Sequence, residues 1–162
     1  MKTRRSLLTH VVLPVAVAML GVLVWAGGPA VAAFTTALSS ALIGIKGTVS
    51  GTPESVSFSG QAKINSKMVT DPDFGSPPTV VLSIDLSSVT GVGSSTGKTY
   101  VTSSRVILDR RLTAADTVQV PFPFFPSGGS AMSARVGMAS FNLSYNVNTG
   151  MLTGATAQIA SP

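Results

Sequence analysis

The chain contains no cysteine. That excludes a disulfide framework, a thiolate nucleophile, a cysteine zinc site and a lipidated N-terminal cysteine. Its one histidine, His10, lies inside the segment read below as an export leader. The mature chain then has no imidazole, which excludes Ser-His-Asp catalysis and histidine metal sites. Charge is scarce as well: 10 % of residues are charged against 44 % apolar, where about a quarter charged is usual. So little charge with so much apolar content does not describe a disordered chain. The single tryptophan, Trp25, also falls in the leader, leaving Tyr100 and Tyr145 as the tyrosines of the mature chain.

The leader has three parts. Met1–His10 is a short positive region, Val11–Ala26 is an apolar run, and Gly27-Gly28-Pro29 breaks any helix. Ala30-Val31-Ala32 then supplies small residues at the spacing a signal peptidase accepts, so residues 1–32 read as a signal peptide with cleavage after Ala32 or Ala33. The hydrophobic helix of such a signal would precede the folded domain. Thr3-Arg4-Arg5-Ser6-Leu7-Leu8 resembles the twin-arginine export motif, although paired arginines also occur in general secretory signals. About 20 apolar residues span a bilayer, and an uncleaved anchor stretching from Val11 to Phe34 is the competing reading. The glycine-proline break argues against it. The expected address is the periplasm or the outside of a bacterial cell.

The formal net charge of +5 overstates the mature chain, because Lys2, Arg4 and Arg5 leave with the leader. The remaining basic residues are scattered apart from Arg110-Arg111 and are not interleaved with aromatics. A nucleic-acid surface needs a concentrated positive stripe, so no nucleic-acid partner is expected. The membrane enters only through the leader, should it stay uncleaved.

Phe34–Ile45 carries apolar residues at Phe34, Leu38, Ala41, Leu42 and Ile45, a short helical stripe. Residues 33–45 therefore read as a leader to the domain or a short helix, with a first strand as the third option, and 46–162 read as the β domain. From there the period becomes two. Val56, Phe58, Ala62 and Ile64 alternate with polar residues, Val80, Leu82, Ile84 and Leu86 alternate less cleanly with Val81, Ser83, Asp85 and Ser87, and Val118, Val120, Phe122 and Phe124 alternate with Gln119, Pro121 and Pro123. Ala139, Phe141, Leu143, Tyr145 and Val147 set against Ser140, Asn142, Ser144 and Asn146 is the clearest case. Thr153, Ala155, Ala157 and Ile159 form the face of its partner. Lys98–Leu108 has apolar residues on both parities and reads as one strand covered on both sides. Asn148-Thr149-Gly150 and Ser95-Thr96-Gly97 are turn signals with a glycine at positive φ, and Asp71–Pro78 and Pro126–Ser133 are loops by composition. The fold class is all-β: an antiparallel sandwich or small barrel of about six or seven strands.

Chemistry is hard to find. Asp71 and Asp73 share a loop, but the glycine-spaced ligand series of a calcium site is missing, and the pair reads as solvated turn carboxylates. Asp109-Arg110-Arg111 closes a strand and either holds an acidic partner or is a strand end that is solvated or bridged to Asp116. No serine sits in a Gly-x-Ser-x-Gly elbow, and Gly91-Val92-Gly93 lacks the third glycine of a phosphate cradle. No catalytic residue, cofactor or metal is assigned, and an enzyme is not expected. Val120–Pro126 is the most unusual stretch, because proline at every second position deletes backbone donors on one side and restricts the segment to an edge strand or an extended tether. Its Phe122, Phe124 and Phe125 either cover the end of the core or form a ridge that contacts a partner, such as another envelope protein or an apolar ligand. The sequence thus points to an exported, non-catalytic β protein that binds or builds. A small outer-membrane β-barrel and a carrier of an apolar ligand are the alternatives.

Overall fold

The computed structural model describes residues 38–70 and 77–162. The leader 1–32, its cleavage site and the Asp71/Asp73 pair lie outside the described residues. Those that are described form an all-β chain of nine strands in one sheet. In chain order these are β1 (Leu38–Val49), β2 (Val56–Val69), β3 (Thr79–Asp85), β4 (Val89–Gly93) and β5 (Thr99–Thr102), then β6 (Arg105–Arg111), β7 (Ala115–Pro126), β8 (Arg135–Tyr145) and β9 (Leu152–Ala160). One 3₁₀ turn, Ala131–Ser133, precedes β8.

The long β2 organises the sheet. On one side it pairs with β1 along its length. On the other its first half pairs with β4 and its second half with β3. The handover falls at Gly60, where a Cβ would sit 2.5 Å from the Ser88 carbonyl oxygen and 2.8 Å from Val89 Cα, so only glycine lets the β3–β4 turn cross so closely. Strand order runs β1-β9-β8-β7-β5-β4-β2-β3-β6, and the extra β1–β2 pairing returns the sheet on itself. The closure is narrow: β1 meets β9 in parallel at the single pair Gly47↔Ile159, and a Cβ on Gly47 would collide with the Ile159 carbonyl. All other pairings are antiparallel. Outside the closed circuit, β3 and β6 extend from β2, and β6 is the terminal strand.

Alternation puts one face of every long strand inside. Val56, Phe58, Ala62 and Ile64 of β2, Val80, Leu82 and Ile84 of β3, Val118 to Phe124 of β7 at even positions, and Ala139, Phe141 and Leu143 of β8 form the core. Their polar neighbours face out. Burial of apolar area at roughly 25 cal/mol per Å² is the dominant stabilising term for such a core.

Four sequence expectations change. Nine strands replace the expected six or seven. Of the options for 33–45, the first strand holds where the segment is described and the helix does not: β1 starts at Leu38, ahead of the domain start expected at 46, because twelve residues of ladder with β2 outweigh a weak helical stripe. Lys98–Leu108 is two strands with different neighbours, β5 on β4 and β7, β6 on β3. It is not covered on both sides, since Tyr100, Thr102 and Ser104 are buried while Ile107 is exposed. In β9 a register shift beside Ser144/Tyr145 turns Thr153 outward, and Leu152 packs against the core in its place. Both turn signals hold, with Gly97 at φ 65° and Gly150 at φ 67°.

Candidate functional site

The Val120–Pro126 stretch is the end of β7. Phe122 and Phe124 lie on its inward parity and are fully buried; Phe125, on the other parity, is half-buried. The three rings therefore do not form one exposed ridge. Phe124 packs edge-on against Phe58 with centroids 4.9 Å apart and against Tyr100 at 5.8 Å, and Phe58 meets Phe122 at 5.5 Å, spacings that favour aromatic pairs. Gly91 and Gly137 make room for the rings, because a Cβ there would lie 2.7 Å from the Phe58 ring and 2.5 Å from that of Phe122. The prolines do what their spacing suggests. β8 takes one edge of β7 from Ala115 to Phe124, and among the described residues no ladder uses the other edge until β5 joins at Phe124. Pro121 and Pro123 share the parity whose missing N–H groups point to that unpaired side.

A buried carboxylate, Glu54, sits beside this aromatic cluster, and its role was not legible in the sequence. It precedes β2 and is screened by the Ser95-Thr96-Gly97 turn. Its Oε2 accepts from the backbone N–H of Ser95 at 2.8 Å and of Thr96 at 2.9 Å. Its Oε1 accepts from the Thr96 hydroxyl at 2.6 Å and the Tyr100 hydroxyl at 3.0 Å. The Thr96 hydroxyl and N–H, helped by Ser95 and Tyr100 and opposed by burial, lower the Glu54 pKa to about 2. Arg135 completes the cluster: Nη1 donates to the Glu54 carbonyl at 2.6 Å, and its guanidinium lies 5.1 Å from the Phe124 ring centroid, within cation–π range. The signal available beforehand was an isolated acid just ahead of an apolar strand, with a donor-rich turn elsewhere in the chain and nothing in the spacing to join them.

At the far end of β7, Arg110 and Asp116 form a two-pronged pair at 2.8 and 2.7 Å, one of the options the sequence left open. The Arg110 bond holds the Asp116 carboxyl below its ordinary range. Nearby, the Tyr145 hydroxyl is buried with no hydrogen-bond partner among the described residues, and burial, with the Asp116 charge, pushes it up to about 12. Asp85 is held low by the Ser87 hydroxyl and N–H and by Arg105, which reaches it at 2.6 Å. Among the described residues no three of His, Cys, Asp and Glu cluster as metal ligands.

Two open grooves mark the surface. One of about 550 Å³ lies between Lys98-Thr99 and Pro126–Gly129. The other, about 620 Å³, follows the β1–β9 closure past Lys46, Ser57 and Gln158. No acidic residue lines either. Comparison with protein-family models, with curated proteins and with solved structures finds no match.

Proposed function

We propose that this chain is an exported, non-catalytic β protein whose role, in the cell envelope or outside the cell, is to bind or to build through its surface. The observation that carries the non-catalytic part of this reading is the state of three of the four acidic residues among those described. Glu54, Asp85 and Asp116 are each tied into hydrogen bonds with the chain's own groups, and their pKa values are lowered. A general acid near neutral pH needs the opposite shift. The export part rests on the leader, with its positive start, apolar run and small-residue cleavage site.

Two features speak against the alternatives. A membrane barrel presents apolar residues outward and polar residues inward. Here Ser57, Ser59, Gln61 and Lys63 of β2 face out while Phe58, Ala62 and Ile64 face in, the reverse arrangement. A carrier needs an apolar space, and Phe58, Phe122 and Phe124 fill theirs with one another. The architecture fits a small barrel, closed by β1 on β9, with β3 and β6 extending from β2 outside the circuit. Native mass spectrometry of the chain isolated from cells, beside a carbonate wash of membranes, tests the reading. We expect masses of the polypeptide or its multiples without an added small molecule, and release by the wash. Co-purified lipid would replace it with the carrier, and retention in washed membranes with the barrel.

A further inference from the structure

We propose that two copies of this chain pair through β6, antiparallel about a twofold axis at Ile107. The inference goes beyond the export reading and does not depend on it. Among the described residues the strand has one neighbour, β3, and no ladder on its other edge. A free edge is a template for another strand. The outer edge of β7 is closed to strand addition by Pro121 and Pro123, which cannot donate, and the edges of β1 and β9 meet each other at Gly47 and Ile159. The β6 edge has no proline, and at its centre Ile107 is 67 % exposed.

Charge selects both the partner and the register. With the axis at Ile107, Arg105 lies opposite Asp109 of the second copy, Ile107 opposite itself, and the half-buried Val106 opposite Leu108. Moving the axis to Leu108 sets Arg105 against Arg111, and moving it to Asp109 sets that carboxylate against its own copy. Like charges directly opposite are destabilising, and opposite charges or apolar pairs stabilise. The charges that discourage foreign strands therefore complement one another in this one arrangement. Arg105 is available for it. Its Nε and Nη2 engage Asp85, Nη1 has no partner among the described residues, and the side chain is 70 % exposed.

The absence of cysteine makes the register testable. Residues facing each other across an antiparallel pair lie about 4.5–5.5 Å apart at Cα, within disulfide reach. Ile107→Cys should therefore oxidise to a covalent dimer under a glutathione buffer, while Val92→Cys, exposed on the interior strand β4, should stay monomeric. Sedimentation of the unsubstituted chain should show a monomer–dimer equilibrium, and Asp109→Lys should raise its dissociation constant about tenfold or more. Circular dichroism matching that of the unsubstituted chain establishes that the variants fold. A chain that stays monomeric up to about 1 mM, the limit of a weak contact, overturns the proposal. So does cross-linking of Val92→Cys as fast as Ile107→Cys, or a dimer indifferent to Asp109→Lys.

Discussion

Tyr100 and Tyr145 are both buried tyrosines, but their hydroxyls meet different surroundings. Tyr100 donates to Glu54, and a hydrogen bond to a charged group is worth about 1.5–3 kcal/mol. Tyr100→Phe should therefore cost about 1–2 kcal/mol in urea melts. Tyr145→Phe removes a hydroxyl without a partner among the described residues and should cost nothing, or stabilise by up to about 1 kcal/mol. Equal losses from the two would contradict these assignments. Glu54 makes a separate claim on pH. Its folded pKa, about 2, lies below the ordinary 4.5, so the folded state holds fewer protons than the unfolded one between those values. The stabilisation is complete above about 4.5 and is lost as pH falls through about 2. Glu54→Gln should flatten the fall of melting temperature across that window, leaving the slopes that Asp85 and Asp116 supply, and an unchanged acid profile would refute the assignment. In β8, Phe141 is fully buried and Asn142 faces out. Phe141→Ala should cost about 3–5 kcal/mol and Asn142→Ala about 0.5 kcal/mol or less. A similar cost at both positions would mean that both faces are buried.

At the scale of elements, period-two alternation was legible wherever a strand buries one face and wets the other, as in β2, β7 and β8. It failed where the deciding contact is tertiary. Leu38, Ala41, Leu42 and Ile45 sit at helical spacing, but Leu42 ends up 66 % exposed, because the ladder with β2 and not local propensity sets the conformation of β1. The bulge beside Tyr145 was equally hidden, since one extra residue inverts the faces of β9 without changing its composition. Val89–Gly93 was passed over as a strand because two of its inward positions, Gly91 and Gly93, carry no side chain to mark the face. Of the proposed contact residues, the pattern gave the inward parity of Phe122 and Phe124, whereas their packing on Phe58 and Tyr100 depends on strand order. β1 offers its own test of the closure. Gly47→Ala should destabilise by about 1–3 kcal/mol, the range for overpacking, because its Cβ would strike Ile159. Gly44→Ala, in the same strand with nothing within 4 Å of its Cβ, should be neutral or stabilise by about 0.5 kcal/mol. If thermal melts rank the two the other way, β1 and β9 do not meet as described.

For the whole molecule, a chain without cysteine, and with no cluster of metal ligands among the described residues, depends on apolar burial for its core, and its surface carries few charges. On the proposed export reading, the leader decides where such a surface acts. If the twin-arginine route is used, replacing Arg4-Arg5 with two lysines should block export, because that route reads the guanidinium pair. Export that continues would assign the general secretory route, for which lysines preserve the positive end. The most direct test of the account is fractionation of the producing cells with N-terminal sequencing of the recovered protein. The account predicts a periplasmic or extracellular protein that begins at Ala33 or Phe34. A cytoplasmic protein that still carries Met1 would contradict it.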